Sequence, residues 1–389
     1  MTTEAVLFAL LRYEISGEPV SEEVKASLCG DVLDQIYTVA KQHDLAHLAG
    51  DALSKLGVLK DDEISQKLKQ AAFQAVYRYA QLNYAYQSVC KLLEEAKIPF
   101  IPLKGSVLRS YYPEPWMRTS CDIDVLVHEE DVQPAIDALT QQLQYQFKGQ
   151  WFYEYSLYSP DGVHLELHSN TIEKEENAQC EAVLRQVWER SYPEAGSVYK
   201  RALTDEMFWF YHIQHMTKHF AQGGCGIRPF LDVWVMNHRM EFDRQKRQML
   251  VAEGGLDKFS AAAEALAEVW FAGAQPSGLT QQMEQYVITG GVYGNVANRA
   301  AVETAQKGSR FKRIWTRIFM PYEIMQYLYP TLQKRKWLFP FYQILRWLRM
   351  LFGGGAGRAL RELKMSTELS AEQNDAAGQM LIQLGLRSK

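Results

Sequence analysis

The chain has 389 residues, 47% of them hydrophobic, and a formal net charge of −4. A chain of this length exceeds the usual single hydrophobic core, so we expect a globular protein of two or three domains. The five cysteines are scattered and never form a Cys-x-x-Cys pair, which argues against a disulfide framework or a zinc ribbon and favours a reducing, cytoplasmic location. No stretch reaches the roughly 18 uninterrupted apolar residues of a membrane-spanning helix, and the N-terminus lacks the basic start of a secretion signal.

The beginning of the chain, residues 1–95, predicts a helical domain. Apolar residues recur there at i, i+3, i+4 and i+7 in the segments LFALLRYEI, VLDQIYTVAKQHDLAHLAGDALSKLG and AAFQAVYRYAQLNYAYQSVCKLLEEA. The pattern changes at IPFIPL, residues 98–103, a short apolar run with two prolines. This run predicts a strand that ends in a tight turn at Lys104, Gly105 and Ser106.

Residues 96–170 predict a small mixed α/β unit. A short helix, VLRSYY, is followed by a strand from Asp122 to His128 and by a helix, VQPAIDALTQQL, which starts directly after acidic residues. Two β-rich segments come next, WFYEYSLYS and VHLELHS, and the hairpin signal Pro160-Asp161-Gly162 joins them. The order of these elements favours a mixed sheet.

The helical period returns at Ile172 and persists nearly to the end of the chain. It runs through CEAVLRQVWERSY, DEMFWFYHIQHMTKHF and FLDVWVMNH, and Gly353-Gly354-Gly355 interrupts it once. We therefore expect an α+β protein with three parts: an N-terminal helical domain (1–95), a mixed α/β core (96–170) and a C-terminal helical domain (171–389).

Positive charge is concentrated near the C-terminus, in the region 310–364. From Ser309 to Lys364, twelve Lys and Arg residues stand against two acidic ones, which gives this segment a charge of +10 and leaves −14 for the rest of the chain. Aromatic residues lie between the basic ones. The segment either contacts a polyanion or an anionic lipid surface, or forms ordinary amphipathic helices with solvated Lys and Arg side chains.

Three carboxylates are expected to face one another in the α/β unit. Residues two apart in a strand point the same way, so Asp122 and Asp124 share one face, and Glu166 shares a face with His164 and His168. Carboxylate oxygens are the ligands that Mg²⁺ prefers, usually together with substrate phosphates and water. A bound cation would also remove the repulsion between the two aspartates. The pattern therefore indicates a metal and phosphate site.

These residues resemble a known superfamily. A Gly-Ser turn, a short helix, Asp-x-Asp at the start of a strand and an acid on a later strand are similar to the nucleotidyltransferase fold of the DNA polymerase β superfamily. The motifs LKGS, Arg118 with DIDVLV, and LELH resemble the bacterial family described as uncharacterised nucleotidyltransferases, as do HIQHMTKHF and GIRPFLDVW further on. The resemblance implies a minimal nucleotidyltransferase core flanked by helical domains.

The resemblance also implies a reaction. Asp122 and Asp124 match the pair that binds two metal ions, Mg²⁺ or Mn²⁺, and Glu166 matches the third acid, which binds one metal and helps to deprotonate the acceptor. The acceptor then attacks the α-phosphate of a nucleoside triphosphate and releases pyrophosphate. The chain departs from the superfamily pattern in one respect, because the third acid is Glu instead of the more common Asp.

Other residues are nucleotide-binding candidates by the same resemblance. Gly105 and Ser106 match the turn that holds the nucleotide phosphates, and Lys104 and Arg118 would neutralise phosphate charge. Arg228 and Asp232 stand at i and i+4 of a predicted helix, so they either pair with each other or line the cleft.

Histidines make a further set of candidates. His168 either orients Glu166 or touches a metal, or it is a structural residue, which is the more common role of a histidine in a strand. His212, His215 and His219 share one helix face. With Cys225 they suggest a zinc site, but the spacing is not that of a known ligand set, so a polar stripe along the cleft is favoured, with His215 and His219 near the ligands.

Two other functions are compatible with the sequence. A nucleotidyltransferase fold without activity would serve as a nucleotide sensor or a partner-binding module. Alternatively, the basic region 310–364 would hold the protein at the inner face of a membrane during envelope polysaccharide assembly. The sequence identifies a nucleoside triphosphate as a partner but not the acceptor, which is a small molecule, a sugar, a protein or a nucleic acid.

Overall fold

The computed structural model describes residues 1–172, 177–292, 294, 298, 319–329, 331–352 and 371–386. Over these residues the protein is mainly helical, with one five-stranded sheet and a separate two-stranded sheet. The predicted α+β class is confirmed. All five cysteines are free thiols.

Helices precede the sheet, as predicted. Side-chain oxygens of Thr2, Ser21 and Asp62 accept hydrogen bonds from backbone N–H groups in the first turns of three of these helices and so fix their starts. The helices are α1 (Thr3–Ser16), α2 (Glu22–Ser27), α3 (Val32–Gln42), α4 (Ala46–Lys55) and α5 (Glu63–Glu95).

The five-stranded sheet has the order β1-β2-β5-β4-β3. Strands β2 and β5 are parallel, and every other neighbouring pair is antiparallel, so the predicted mixed sheet is confirmed. The strands are β1 (Phe100–Pro102), β2 (Asp122–Val127), β3 (Gln146–Trp151), β4 (Glu154–Tyr158) and β5 (His164–His168).

The two faces of the sheet differ in polarity. Ile123, Val125, Leu165 and Leu167 are fully buried on one face, in a core shared with α5 and α7 (Val132–Gln142). The alternation of β2 and β5 places their carboxylate and imidazole side chains on the other face. One face thus supplies packing energy and the other supplies polar chemistry.

The helices after the sheet pack against those before it. Phe8 of α1 stacks on Trp270 with ring centroids 4.8 Å apart, and a single hydrophobic core joins both groups of helices. The predicted bounds at 95 and 170 remain a prediction. These helices are α8 (Ala178–Leu184), α9 (Asp205–Ala221), α10 (Arg228–Arg239), α11 (Arg244–Glu253), α12 (Asp257–Ala272) and α13 (Gly278–Gly290).

The structure adds strands that the sequence did not predict. The segment WFYEYSLYS is not one strand, because Trp151 ends β3 and a turn separates it from β4. The segment CEAVLRQVWERSY is helical only to Leu184, and its end belongs to β6 (Ser191–Pro193), which pairs with β7 (Arg201–Leu203). In both cases a strand lies within a segment that the sequence analysis treated as a single element.

The basic region 310–364 is described in part. The described helices there are Tyr322–Leu328, Thr331–Lys334 and Phe339–Phe352, and the helix Ala371–Gln383 follows. The basic residues at 310, 312, 313, 317, 358, 361 and 364 and the three glycines at 353–355 lie outside the described residues. Within the described part of the chain, none of the helices combines the length and the apolar character needed to cross a membrane.

Gly50 permits the close contact between α4 and α5. A Cβ atom at this position would lie 2.3 Å from the backbone oxygen of Leu68. Because that oxygen belongs to the backbone, no side-chain rotation could relieve the clash. We expect Gly50→Ala to lower the free energy of unfolding by about 1–3 kcal/mol because the helices must separate. Gly278→Ala is the matched control, since nothing lies within 4 Å of its added Cβ. Denaturant unfolding measures both, and equal stability of the two variants would contradict this packing.

Candidate active site

The turn after β1 brings the chain to the polar face of the sheet. Lys104 has a positive φ of 47° and precedes α6 (Gly105–Leu108). A Cβ atom on Gly105 would lie 3.0 Å from the Cβ of Ser120, so the turn packs closely against the loop that enters β2. Glycine at this position allows that approach.

Arg109 fixes the same turn, a role that the sequence analysis missed. Its guanidinium is buried and donates one hydrogen bond to the backbone oxygen of Gly105, at 2.9 Å, and another to Oγ of Ser120, at 2.7 Å. The four-residue spacing from Gly105 was the only available signal, and it is common in helices. Arg109 therefore joins the turn to the start of β2.

The parallel pairing of β2 and β5 brings the predicted acids together. Asp124 lies opposite Glu166, and Asp122 lies opposite His164. Asp124 is buried, whereas Asp122 and Glu166 are half-buried. The structure thus brings together all three carboxylates that the sequence singled out.

Asp124 is paired with two nitrogen-bearing side chains. Its Oδ1 accepts a hydrogen bond from Lys104 Nζ at 2.8 Å and lies 2.9 Å from His168 Nε2. Burial acts to raise the pKa of Asp124, but the Lys104 ammonium and the His168 contact outweigh it and hold that pKa well below its ordinary value. Asp124 is therefore an ionised carboxylate that already has a counter-charge.

The other two carboxylates have the opposite electrostatic environment. Burial and the nearby Asp124 charge raise the pKa of Asp122. The same two causes raise the pKa of Glu166 to about 7. Both groups thus favour protonation, or a cation that would offset their charge.

A cavity of about 320 Å³ lies between this face and the helices α9 and α10. Arg118 in its wall donates from Nε to Oδ1 of Asp232 at 2.7 Å, and Tyr112 donates to the same oxygen. Arg228 forms an ion pair with Asp44 instead of with Asp232. Of the two predicted alternatives for Arg228 and Asp232, the structure therefore shows residues that line the cleft and not a pair. The cavity contains these predicted residues: Lys104, Gly105, Arg118, Asp122, Asp124, His215, His219, Arg228 and Asp232.

The histidines of α9 line this cavity as a polar stripe. His212 lies 3.2 Å from the backbone oxygen of Pro229, and the rings of His215 and His219 meet edge to face at 4.6 Å. Burial lowers the pKa of His219 to about 3, so its imidazole is neutral. Among the described residues, the candidate cation clusters include neither these histidines nor Cys225.

Ser106 is separated from the carboxylates. Its Oγ is buried and has no hydrogen-bond partner among the described residues, and it lines a second cavity of about 310 Å³. This second cavity is lined by Arg109 and several tyrosines and does not include Asp122 or Asp124. The structure therefore brings Gly105, but not the Ser106 hydroxyl, to the cavity that holds the aspartates.

The donor atoms fit a divalent cation. Two groups have their ligand atoms within 4.8 Å of one another: Asp122, His164 and Glu166, and Asp124, Glu166 and His168. Their oxygen atoms are the ligand type that Mg²⁺ and Mn²⁺ prefer. The sequence analysis placed His164 on the correct face but did not select it as a site residue.

The residues of this site lie in a part of the chain that matches a known protein family. A family model described as "Uncharacterised nucleotidyltransferase" matches residues 32–272, more than half of the chain. No curated protein matches the chain. A solution structure of the antibiotic-resistance factor ANT(2'')-Ia is similar at 12% identity and a TM-score of 0.33, covering 45% of this chain and 91% of that one.

The raised pKa of Glu166 predicts a pH dependence of stability in the protein kept metal-free with a chelator. A folded-state pKa of about 7, above the ordinary 4.5, means that the folded protein binds the proton more tightly. The tighter proton binding adds up to about 3 kcal/mol to the free energy of unfolding. This stabilisation is complete below pH 4.5 and is lost as the pH rises through 7.

Glu166→Gln removes that contribution. The free energy of unfolding of the variant minus that of wild type should therefore be larger at pH 8 than at pH 5. Urea unfolding at both pH values measures this difference. Glu129→Gln, at an exposed position, is the control and should show no such change. A difference between wild type and Glu166→Gln that is the same at both pH values would refute the raised pKa.

Proposed function

The chain belongs to the family of uncharacterised nucleotidyltransferases, and from that premise we propose that it transfers a nucleoside monophosphate from a nucleoside triphosphate to an acceptor, releasing pyrophosphate. One observation carries the proposal: Asp122, Asp124 and Glu166 meet on one polar face of the sheet, beside the Gly105 turn. The acceptor nucleophile, on a small molecule, sugar, protein or nucleic acid, stays open.

Each carboxylate has a place in this proposal. Asp122, Asp124 and Glu166 would hold Mg²⁺ or Mn²⁺, and such ions neutralise charge on the entering and leaving oxygens of a phosphoryl transfer. The acceptor oxygen forms a bond to the α-phosphorus while the bond from phosphorus to the pyrophosphate oxygen breaks. By the family resemblance, Glu166 would also help to take the acceptor's proton.

The nucleotide is assigned to the cavity between the sheet and α9 and α10. Its volume of about 320 Å³ suits part of a nucleotide, and its wall carries the side chains of Lys104, Arg118 and Arg228. Lys104 is placed to contact a phosphate if it leaves Asp124, and the Gly105 backbone approaches the same space. By family resemblance Ser106 joins this set, although its hydroxyl would have to turn from its present cavity.

The main rival is a nucleotidyltransferase fold that binds nucleotide without turnover. The carboxylates give no sign of a decayed site, since all three face the same side of the sheet. Calorimetric titration with each nucleoside triphosphate and Mg²⁺ separates the two functions, because binding without pyrophosphate release supports a sensor.

An observation on the basic region favours an additional contact with an anionic lipid surface. Trp337, Phe341, Ile344 and Leu348 are spaced along one side of the helix Phe339–Phe352 and the turn before it, and each is at least 46% exposed. The exposed cations Lys334, Arg335, Lys336 and Arg349 flank this apolar stripe. An apolar face with flanking cations is typical of a helix that lies in the membrane interface.

Turnover tests the transferase proposal. We expect Asp122→Asn to reduce pyrophosphate release from nucleoside triphosphates by at least about 10³-fold, because the lost metal contact is worth several kcal/mol in the transition state. Release is measured with each of the four ribonucleoside triphosphates, with Mg²⁺ or Mn²⁺ and candidate acceptors. Asp124→Asn should reduce pyrophosphate release to a similar extent. Asp137→Asn, at an exposed position of α7, is the matched control and should keep the wild-type rate. Equal activity in wild type, Asp122→Asn and Asp124→Asn would exclude the assignment.

Liposome sedimentation tests the lipid contact. Wild-type protein should sediment with vesicles that contain phosphatidylserine and not with neutral vesicles. Substituting Phe341 and Leu348 by Ser should abolish sedimentation by removing buried apolar area, at about 0.8 kcal/mol for each CH₂ group. The matched control replaces Phe73 and Tyr84, exposed residues of α5, by Ser. Binding that is independent of anionic lipid, or equal in both double variants, would remove this proposal.

A further inference from the structure

Strand β5 places an imidazole on each side of Glu166. His164 and His168 lie two residues before and after it and therefore face the same side of the sheet. The Nε2 of His164 is 3.8 Å from Oε1 of Glu166, and the Nε2 of His168 is 3.8 Å from Oε2. Each oxygen of this carboxylate thus has one imidazole nitrogen beside it.

The two sides of Glu166 are not equivalent. On the His168 side, Asp124 Oδ1 already contacts both Lys104 Nζ and His168 Nε2. A cation there would have to displace an ammonium group from a buried carboxylate. That side is therefore already neutralised by the chain itself.

On the other side, Asp122 has no such partner. Within the described part of the chain, its carboxylate forms no ion pair and no side-chain hydrogen bond. It is half-buried and lines the cavity that contains Lys104 and Gly105. A half-buried carboxylate beside a second one is a strong attractor for a cation.

Two neighbouring side chains fix the position of the His164 imidazole on the Asp122 side of Glu166. It stacks on Tyr158 with ring centroids 4.6 Å apart and an interplanar angle of 15°. Its Nε2 lies 2.7 Å from Ser156 Oγ, a neutral hydroxyl. A neutral hydroxyl competes with a cation much less than the ammonium group on the other side does. The ligand atoms of Asp122, His164 and Glu166 all lie within 4.8 Å of one another.

We propose that Asp122, His164 and Glu166 form a cation site with a mixed nitrogen and oxygen donor set, which selects a first-row transition ion such as Mn²⁺ over Mg²⁺. The proposal deepens the proposed function, on which it rests for the need for a divalent ion. Mg²⁺ prefers oxygen ligands and keeps its waters, whereas an imidazole ligand favours transition ions. His164 is therefore assigned as a ligand that sets the metal preference.

Pulsed electron paramagnetic resonance of the full chain with Mn²⁺, without nucleotide, tests this directly. We expect nitrogen modulation from a bound imidazole, and its frequency should change when all histidines carry ¹⁵N. This test leaves the sequence unaltered, so it does not depend on the folding of a variant. Bound Mn²⁺ without histidine nitrogen modulation would overturn the proposal, as would the absence of Mn²⁺ binding.

A pair of variants identifies the histidine. His164→Gln should remove the modulation and weaken Mn²⁺ binding at least about tenfold, since even residues that only support a ligand contribute that much. His168→Gln is the matched control on the same strand and should keep the modulation. Loss of the modulation in His168→Gln, or its retention in His164→Gln, would overturn the assignment. Circular dichroism of both variants establishes that each is folded.

Competition between metals tests the selectivity. Mg²⁺ should displace Mn²⁺ from wild-type protein only at an excess of about tenfold or more, and this excess should fall in His164→Gln. Equal displacement in the two proteins would refute the selectivity. Pyrophosphate release is a separate measurement, so a transferase without histidine ligation and a histidine-ligated ion without transfer are distinguishable results.

Discussion

The parallel pairing of β2 with β5 is the constraint on which the candidate site depends. Ile123, Val125, Leu165 and Leu167 are fully buried on the back of these strands. Burying each such side chain is worth about 1.5–3 kcal/mol. The repulsion between two carboxylates about 6 Å apart is roughly 3 kcal/mol at an effective dielectric of 20, so packing exceeds it. Because a slip of one residue would expose the apolar face, the register that serves packing also holds the acids together.

Lys104 determines how charge is distributed over that polar face. Its ammonium neutralises the most buried carboxylate, Asp124, and leaves Asp122 and Glu166 to share the excess negative charge. Against the effect of burial, Lys104 and His168 lower the pKa of Asp124, whereas burial and the Asp124 charge raise the pKa values of Asp122 and Glu166. The positive φ of Lys104 is unusual for a residue with a side chain, and the ion pair with Asp124 helps to hold the turn in that conformation.

Local patterns predicted the parts of the fold that have a local cause. The two-residue period placed Asp122, Asp124 and Glu166 on polar faces, and the helical period located the long helices. Strand β3, Gln146–Trp151, could not be predicted in this way, because it lies at the sheet edge and buries almost none of its side chains. Contacts such as Arg109 with Ser120 join residues with no sequence relation, so only the three-dimensional structure reveals them.

The walls of the cavity come from separate parts of the chain. Arg118 belongs to the loop before β2, and Arg228 and Asp232 belong to α10. Behind this wall, Asp44 in the turn between α3 and α4 forms an ion pair with Arg228. All four lie within residues 32–272, the part that the family model matches. The sheet strands that carry the acids and the helices that form the other wall of the cavity therefore lie within the part of the chain that the family model matches. The basic helix Phe339–Phe352 lies beyond that range, so the membership of the family rests on the sheet and the helices around it and not on this helix.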